Sequence, residues 1–342
     1  MRSRFNQQPR ALDSHNTPNA DRKLGLLRGV CGPQSASVGN LRRTVVVPFL
    51  NRDVLPDIGL LQSVALGGFG ATKTLHDQTA HDGSDSKDGK LLWTVKAKSP
   101  VLGAVTIENG IAYIGASDST FRAIDIHTGK VIWAYTGVKG YIETKPLVTA
   151  DKVIFGAWDN TLYALNKADG KELWKWTGGL TRMHFSPAAV WPVTAEGKVF
   201  ITDPQRAMTA INIENGETVW RTFQSMVRET IGLSEDGTRV FSKTMNDSIV
   251  CYATQGDQPR ELWASNVGFG YEHAPSMQVE KGGVMFGSTK EGLIFALEAQ
   301  TGKVLWKHKI GNSLINTVVP LNGQQVLFTA TSGEVGLLRV KN

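Results

Sequence analysis

Apolar and polar residues alternate in short runs that return at a fixed period over most of the chain. TFRAID, TLYALN, AMTAIN, SIVCYA, LIFALE and VGLLRV each read as a half-buried or buried strand, and each follows another: IAYIGA, KVIFGA, KVFITD, RVFSKT, GVMFGS and QVLFTA. After the first five comes a turn and a strand ending in tryptophan. Counting DGKLLW upstream, these tryptophans are Trp93, Trp133, Trp174, Trp220, Trp263 and Trp306, at intervals of 40, 41, 46, 43 and 43 residues. Five of the six turns carry Asp-Gly, Asn-Gly or Thr-Gly, which supply the positive φ that tight hairpins need, and the one before Trp263 is QPR. One more apolar segment after each tryptophan makes four strands per unit, the period of propeller blades.

The pattern predicts an all-β fold, a six-bladed β-propeller of four-stranded blades over 88–342. The blades fall at about 99–137, 140–177, 183–223, 228–266, 271–310 and 313–342. The last unit has three strands and no tryptophan, while 88–97 is a fourth strand without a blade. Pairing the two would close the ring with an N-terminal strand and remove two open sheet edges. Each tryptophan is expected to fill the wedge between neighbouring blades, since a small twisted sheet cannot bury its own faces.

Composition agrees with a turn-rich β protein: 36 Gly, 9 Trp and 20% charged residues in 342. The formal charge of +6 belongs to one end. Residues 1–75 hold 10 of the 37 Lys and Arg and 4 of the 31 Asp and Glu, leaving 27 of each for the rest, so the repeats are formally neutral. That balance argues against a nucleic-acid partner. Cys31 and Cys251 give neither a disulfide framework nor metal-ligand spacing, and Cys251 in SIVCYA reads as a buried thiol.

Residues 1–87 contain no Glu, Trp or Tyr and read as a basic tail of low structure. MRSRFNQQPR has the charge of a signal peptide without an apolar region behind it, and the apolar stretch from Thr44 is broken by Pro48, Arg52, Asp53, Pro56 and Asp57, so it cannot span a membrane. A targeting segment, a flexible linker, or a stretch joined by fusion, truncation or a shifted frame are the alternatives, the last two favoured by the absence of periodicity. HDQTAHDGSDSKDG reads as a polar tether rather than a metal site, and GGFG at 67–70 lacks the flanking strand and helix of a phosphate loop.

The units, GLIFALEAQTGKVLW above all, resemble the tryptophan-docking repeats of pyrroloquinoline-quinone-type β-propellers over about three quarters of the chain. SPAAVWPVTAEGKVFITDPQRAMTAINIENGETVWRT and RETIGLSEDGTRVFSKTMNDSIV resemble the propeller attached to bacterial calcineurin-like metallophosphoesterases, often extracytoplasmic. The resemblance implies a periplasmic or other extracytoplasmic location. Of the phosphoesterase's ligand motifs, Asp13-Ser14-His15 is the one trace, read as chance. The quinoprotein dehydrogenases that the repeats also resemble are eight-bladed, hold the quinone over calcium and often carry adjacent cysteines. Pyrroloquinoline quinone is therefore a cofactor by resemblance alone, and no catalytic or metal residues are assigned. A protein-assembly scaffold like the outer-membrane lipoproteins is a third class, without a lipobox here.

Eight residues beyond each tryptophan the chain reaches the channel mouth with YIET, RMHF, RETI, YEHA and LINT. Polar residues stand there in place of apolar ones: Glu143, Arg182, His184, Arg228, Glu229, Glu272, His273 and Asn316. Hairpins add Asp118, Trp158, Arg206 and Lys243 to the same rim. Either neighbouring blades exchange ion pairs, such as Arg182 with Glu229 or Arg228 with Glu272, or the ring is a concave pocket walled by Trp158. The expectation is a non-enzymatic binding or scaffold module, probed through a protein partner or small polar ligand at this face, in a monomer.

Overall fold

The computed structural model describes residues 24–28, 58–59, 80–85, 91–178, 190–203, 205–228, 230–272, 276–332 and 334–340. Six antiparallel sheets have four strands each. Blade one is Thr106–Glu108, Ile111–Gly115, Phe121–Asp125 and Val131–Tyr135; blade two is Leu147–Val148, Lys152–Ala157, Thr161–Asn166 and Glu172–Thr177. Blades three, four and five repeat this order from Val193–Ala195, Gly232–Leu233 and Val279–Lys281. Blade six is Ile315–Asn322, Gln325–Ala330 and Val335–Val340, with Leu24–Arg28 as its fourth strand.

That fourth strand corrects the expected closure. An N-terminal strand does complete the last blade, but it comes from residues 24–28, not 88–97. Leu91–Lys96 instead pairs with Ala80–Asp85, and this pairs with Ile58–Gly59 in a separate three-stranded sheet. Three short strands therefore lie within the segment read as a tail of low structure. The reason is register. In each tryptophan hairpin the residue opposite the indole is small: Ala123, Ala164, Ala210, Cys251 and Ala296 face Trp133, Trp174, Trp220, Trp263 and Trp306. Gly83 faces Trp93 in the same way, so the polar AHDGSD meets the steric demand without an apolar pattern. A β-bulge follows directly after the small residue in all six hairpins, increasing the local twist that aims the indole at its neighbour.

The indoles join adjacent sheets. Nε1 of Trp93, Trp133, Trp174 and Trp263 donates to the carbonyls of Ile126, Lys167, Ile213 and Ala299 in the following blade, at 2.7, 3.0, 2.9 and 3.2 Å. Each of these rings lies on the turn glycine of that blade. At Gly129, Gly170, Gly216 and Gly302, φ is 71–76° and a Cβ would come within 2.5–2.7 Å of the indole, so glycine is required twice over. Trp306 packs over Phe286 at 6.0 Å within the cluster shared by blades five and six.

Burial follows these seams rather than a single centre. Second strands such as Lys152–Ala157 and Lys198–Asp203 are buried throughout. One cluster combines Ile154, Leu162 and Trp174 of blade two with Val199, Ile201 and Ile211 of blade three. Between blades one and two, Phe121 stacks on Phe155 at 4.2 Å. Each such ring contributes about 1.5–3 kcal/mol through lost water contact. Cys251 is fully buried, and burial pushes its thiol up to about 12, as expected of a packing residue.

Candidate binding surface at the channel mouth

In an up-and-down blade the hairpin between strands two and three and the loop to the next blade open on one face. The turns between strands one and two, and three and four, open on the other. On the first face the chain leading into blade two alternates: Ile142 and Thr144 are buried, while Tyr141, Glu143 and Lys145 point the other way, Tyr141 being 52% exposed. Thr144 Oγ1 donates to the carbonyl of Val190, tying this segment to blade three.

Two sequence candidates meet here. Trp158 Nε1 donates to Glu143 Oε2 at 2.8 Å, and its backbone N–H donates to the carbonyl of Tyr141 at 2.9 Å. The indole is thus held by the Glu143 carboxylate and is half-buried. Beside them Lys145 Nζ stands 5.3 Å from the ring centre of Trp191, and burial pushes this ammonium below the usual lysine range. Neither Lys145 nor Trp191 was singled out from the sequence. Lys145 lies one alternation beyond Glu143, which is the signal that would have found it.

Other candidates sit deeper than expected. Lys243 is 1% exposed and donates to Ser276 Oγ at 2.8 Å and to the carbonyl of Ser288 at 3.0 Å. It closes the seam of blades four and five instead of standing on the open rim, because the last position of strand Arg239–Lys243 turns toward the neighbouring blade. Glu272, 2% exposed, accepts the backbone N–H of Lys290 at 2.8 Å, while Lys290 Nζ lies 5.6 Å from the ring centre of Tyr271. The backbone N–H of Arg228 donates to the carbonyl of Lys243 at 3.3 Å. Arg182, His184, Glu229 and His273 lie outside the described residues, as does the side chain of Asn316, and with them the Arg182–Glu229 pair.

Asp118 is committed to its own turn. It takes both Arg122 guanidinium nitrogens, at 3.1 and 2.5 Å, and the backbone N–H of Lys98 at 3.1 Å. Burial alone would raise this carboxyl, but those hydrogen bonds hold it below the usual carboxylate range. Asp159 does the same work one blade on, accepting Lys139 N–H at 2.8 Å. Arg206 is exposed at φ 71°. Three inter-blade ion pairs lie on the opposite face: Lys152 with Glu214 at 2.7 Å, Lys167 with Glu108, and Lys281 with Glu235. The same face carries the exposed large side chains Tyr141, Phe223, Met226 and Tyr271.

The family model described as outer membrane protein assembly factor BamB matches residues 83–175, 136–256 and 246–341. The chain belongs to that family of pyrroloquinoline-quinone-type β-propellers. Among solved structures, BamB from Moraxella catarrhalis superposes with a TM-score of 0.61 at 15% identity, covering 77% of this chain and 79% of that one. The computationally designed Ika8 protein superposes at 0.63 with 17% identity, covering 77% and 81%. At these identities the BamB family likeness is one of fold. One stretch of 50 residues is 42% identical to the lanthanide-dependent methanol dehydrogenase of Methylacidiphilum fumariolicum (strain SolV), spanning 14% of this chain and 8% of that relative. Among the described residues no three His, Cys, Asp or Glu side chains are grouped to hold a metal ion, and no helix is long and apolar enough to cross a membrane.

Proposed function

We propose that this chain is a binding or scaffold module that engages a protein partner through the channel-mouth face. The observation that carries the reading is a set of exposed large side chains on this face. Tyr141, Phe223, Met226 and Tyr271 are exposed between 42% and 55%, and the same face holds the Trp158–Glu143 pair. Aromatic side chains and Met with a fixed polar centre are the composition of protein-binding patches. Family membership supports the reading, because the family's description is that of an assembly factor.

Amide hydrogen exchange of the full chain, alone and with a solubilised envelope extract, tests it. Protection at 141–145, 223–228 and 271–272 is the expected result. Protection confined to the opposite turns, at 149–152, 235–239 and 280–284, would overturn it.

The likeness to methanol dehydrogenase favours one second reading, oxidation with pyrroloquinoline quinone in the channel. The described residues offer Trp158 as a stacking wall but no grouped metal ligands, so no step is derived through the quinone. Adding pyrroloquinoline quinone with calcium or a lanthanide would shift the quinone absorbance and the melting temperature if that reading held. Unchanged values would remove it.

A further inference from the structure

A turn on the channel-mouth face displays a methionine. Of the seven methionines, Met1 and Met183 lie outside the described residues. Met208, Met245, Met277 and Met285 are at most 8% exposed, whereas Met226 is 42% exposed.

The backbone around it is fixed. The Met226 N–H donates to the carbonyl of Phe223 at 3.2 Å, and the Met226 carbonyl accepts the N–H of Met245 at 3.3 Å. Its φ is 48°, a left-handed conformation that residues other than glycine seldom take. Ser225 Oγ donates to Glu261 Oε2 at 2.7 Å and lies 2.6 Å from the Tyr252 hydroxyl, while Val227, 2% exposed, bridges to Thr244. Both neighbours of Met226 are thus tied to blade four, and its side chain is left in water. Phe223, at the other end of the turn, is 54% exposed.

Methionine differs from the Tyr and Phe side chains of this face in one respect: its sulfur can be made polar and then restored. Hydrogen peroxide delivers one oxygen to Sδ. The sulfur lone pair forms the S–O bond, the O–O bond breaks, and the other oxygen leaves as water, taking both protons. Sulfur loses two electrons and the peroxide gains them. The sulfoxide is a polar acceptor, and burying it against a partner without a donor is costly. We propose that Met226 is an oxidation site through which peroxide weakens docking at the channel-mouth face. The inference rests on the reading of that face as a protein-binding surface and adds its regulation.

Peptide mass mapping of the full chain after graded hydrogen peroxide tests the chemistry. Met226 is expected to gain one oxygen about ten times faster, or more, than Met208, Met245, Met277 or Met285, because theirs are the shielded sulfurs. The melting temperature should stay unchanged, since the Met226 side chain is not in the core. Amide hydrogen exchange with the solubilised envelope extract, added after the peroxide is removed, reads the consequence. Protection at 223–228 is expected in the untreated chain, lost after peroxide, and regained on treatment with methionine sulfoxide reductase. It should survive peroxide in Met226→Leu, which keeps the apolar volume without the sulfur. Oxidation of Met226 no faster than of the four buried methionines would overturn the inference and leave the docking reading standing. So would protection that peroxide spares in the wild type or removes equally from Met226→Leu. No protection in the untreated chain would overturn both.

Discussion

Two seams of the propeller place the same indole in different surroundings. Where blade two meets blade three, Trp174 lies on Gly216 and donates to the carbonyl of Ile213 at 2.9 Å. Where blade three meets blade four, Trp220 is 4% exposed between Phe200 and Tyr252, yet its Nε1 is buried without a partner. The receiving turn differs: ATQGDQPR is longer than INIENGE and puts Gly256 away from any neighbour. The carbonyl of Thr254, which holds the place of the other acceptors, has Lys198 Nζ at 3.4 Å instead. The indole's burial and its hydrogen bond are therefore separable. Burial holds every seam, and the hydrogen bond needs a turn of the right length.

Substitutions can break that comparison, and the largest effect tests what the seams share. Trp174→Ala and Trp220→Ala should each cost about 3–5 kcal/mol in chemical denaturation, because both empty a packed wedge. A much smaller loss at Trp220 would mean that seam is loosely filled. Next, Gly216→Val should cost about 3 kcal/mol, combining positive φ with a Cβ 2.7 Å from the Trp174 ring. Gly256→Val, at φ 87° with open space around it, should cost about 1 kcal/mol from backbone strain alone. Trp→Phe separates the seams more finely. At Trp174 it loses a hydrogen bond, whereas at Trp220 it removes an unpaired donor, so the Trp174 variant should be the less stable by about 1 kcal/mol.

The smallest effect belongs to the next seam. Because burial raises the Glu280 carboxyl above its unfolded value, ionised Glu280 disfavours the fold above its folded pKa. Glu280→Gln should therefore exceed wild type slightly at pH 7, by about 0.5 kcal/mol after solvent screening. The gap should close as pH falls through the raised pKa and vanish below the unfolded value. Urea midpoints from pH 4 to 7 read this directly, and a gap that widened on acidification would show that Glu280 is stabilised as an anion.

The all-β class and the strand order within each blade were legible because successive strands alternate and their turns recur at a fixed period. Ala80–Asp85 escaped notice for a physical reason: its fit rests on Gly83 opposite Trp93, which is a matter of volume, while hydrophobic alternation was the signal followed. At the mouth, counting from the tryptophans found Glu143, and hairpin position found Trp158. It could not say that Lys243 and Glu272 turn inward, since the direction of a long side chain depends on the neighbouring blade.

The bulge that follows the small residue in every tryptophan hairpin has a consequence for how such a chain can change. A hairpin that contains its own twist, its own hollow for the indole and its own turn asks only a carbonyl and a glycine of the sheet beside it. It is a portable unit, which duplication can copy or deletion can drop with little adjustment elsewhere. The polar strand Ala80–Asp85, paired with Leu91–Lys96, shows how far the other residues can drift while the small residue opposite the indole and the bulge after it are kept.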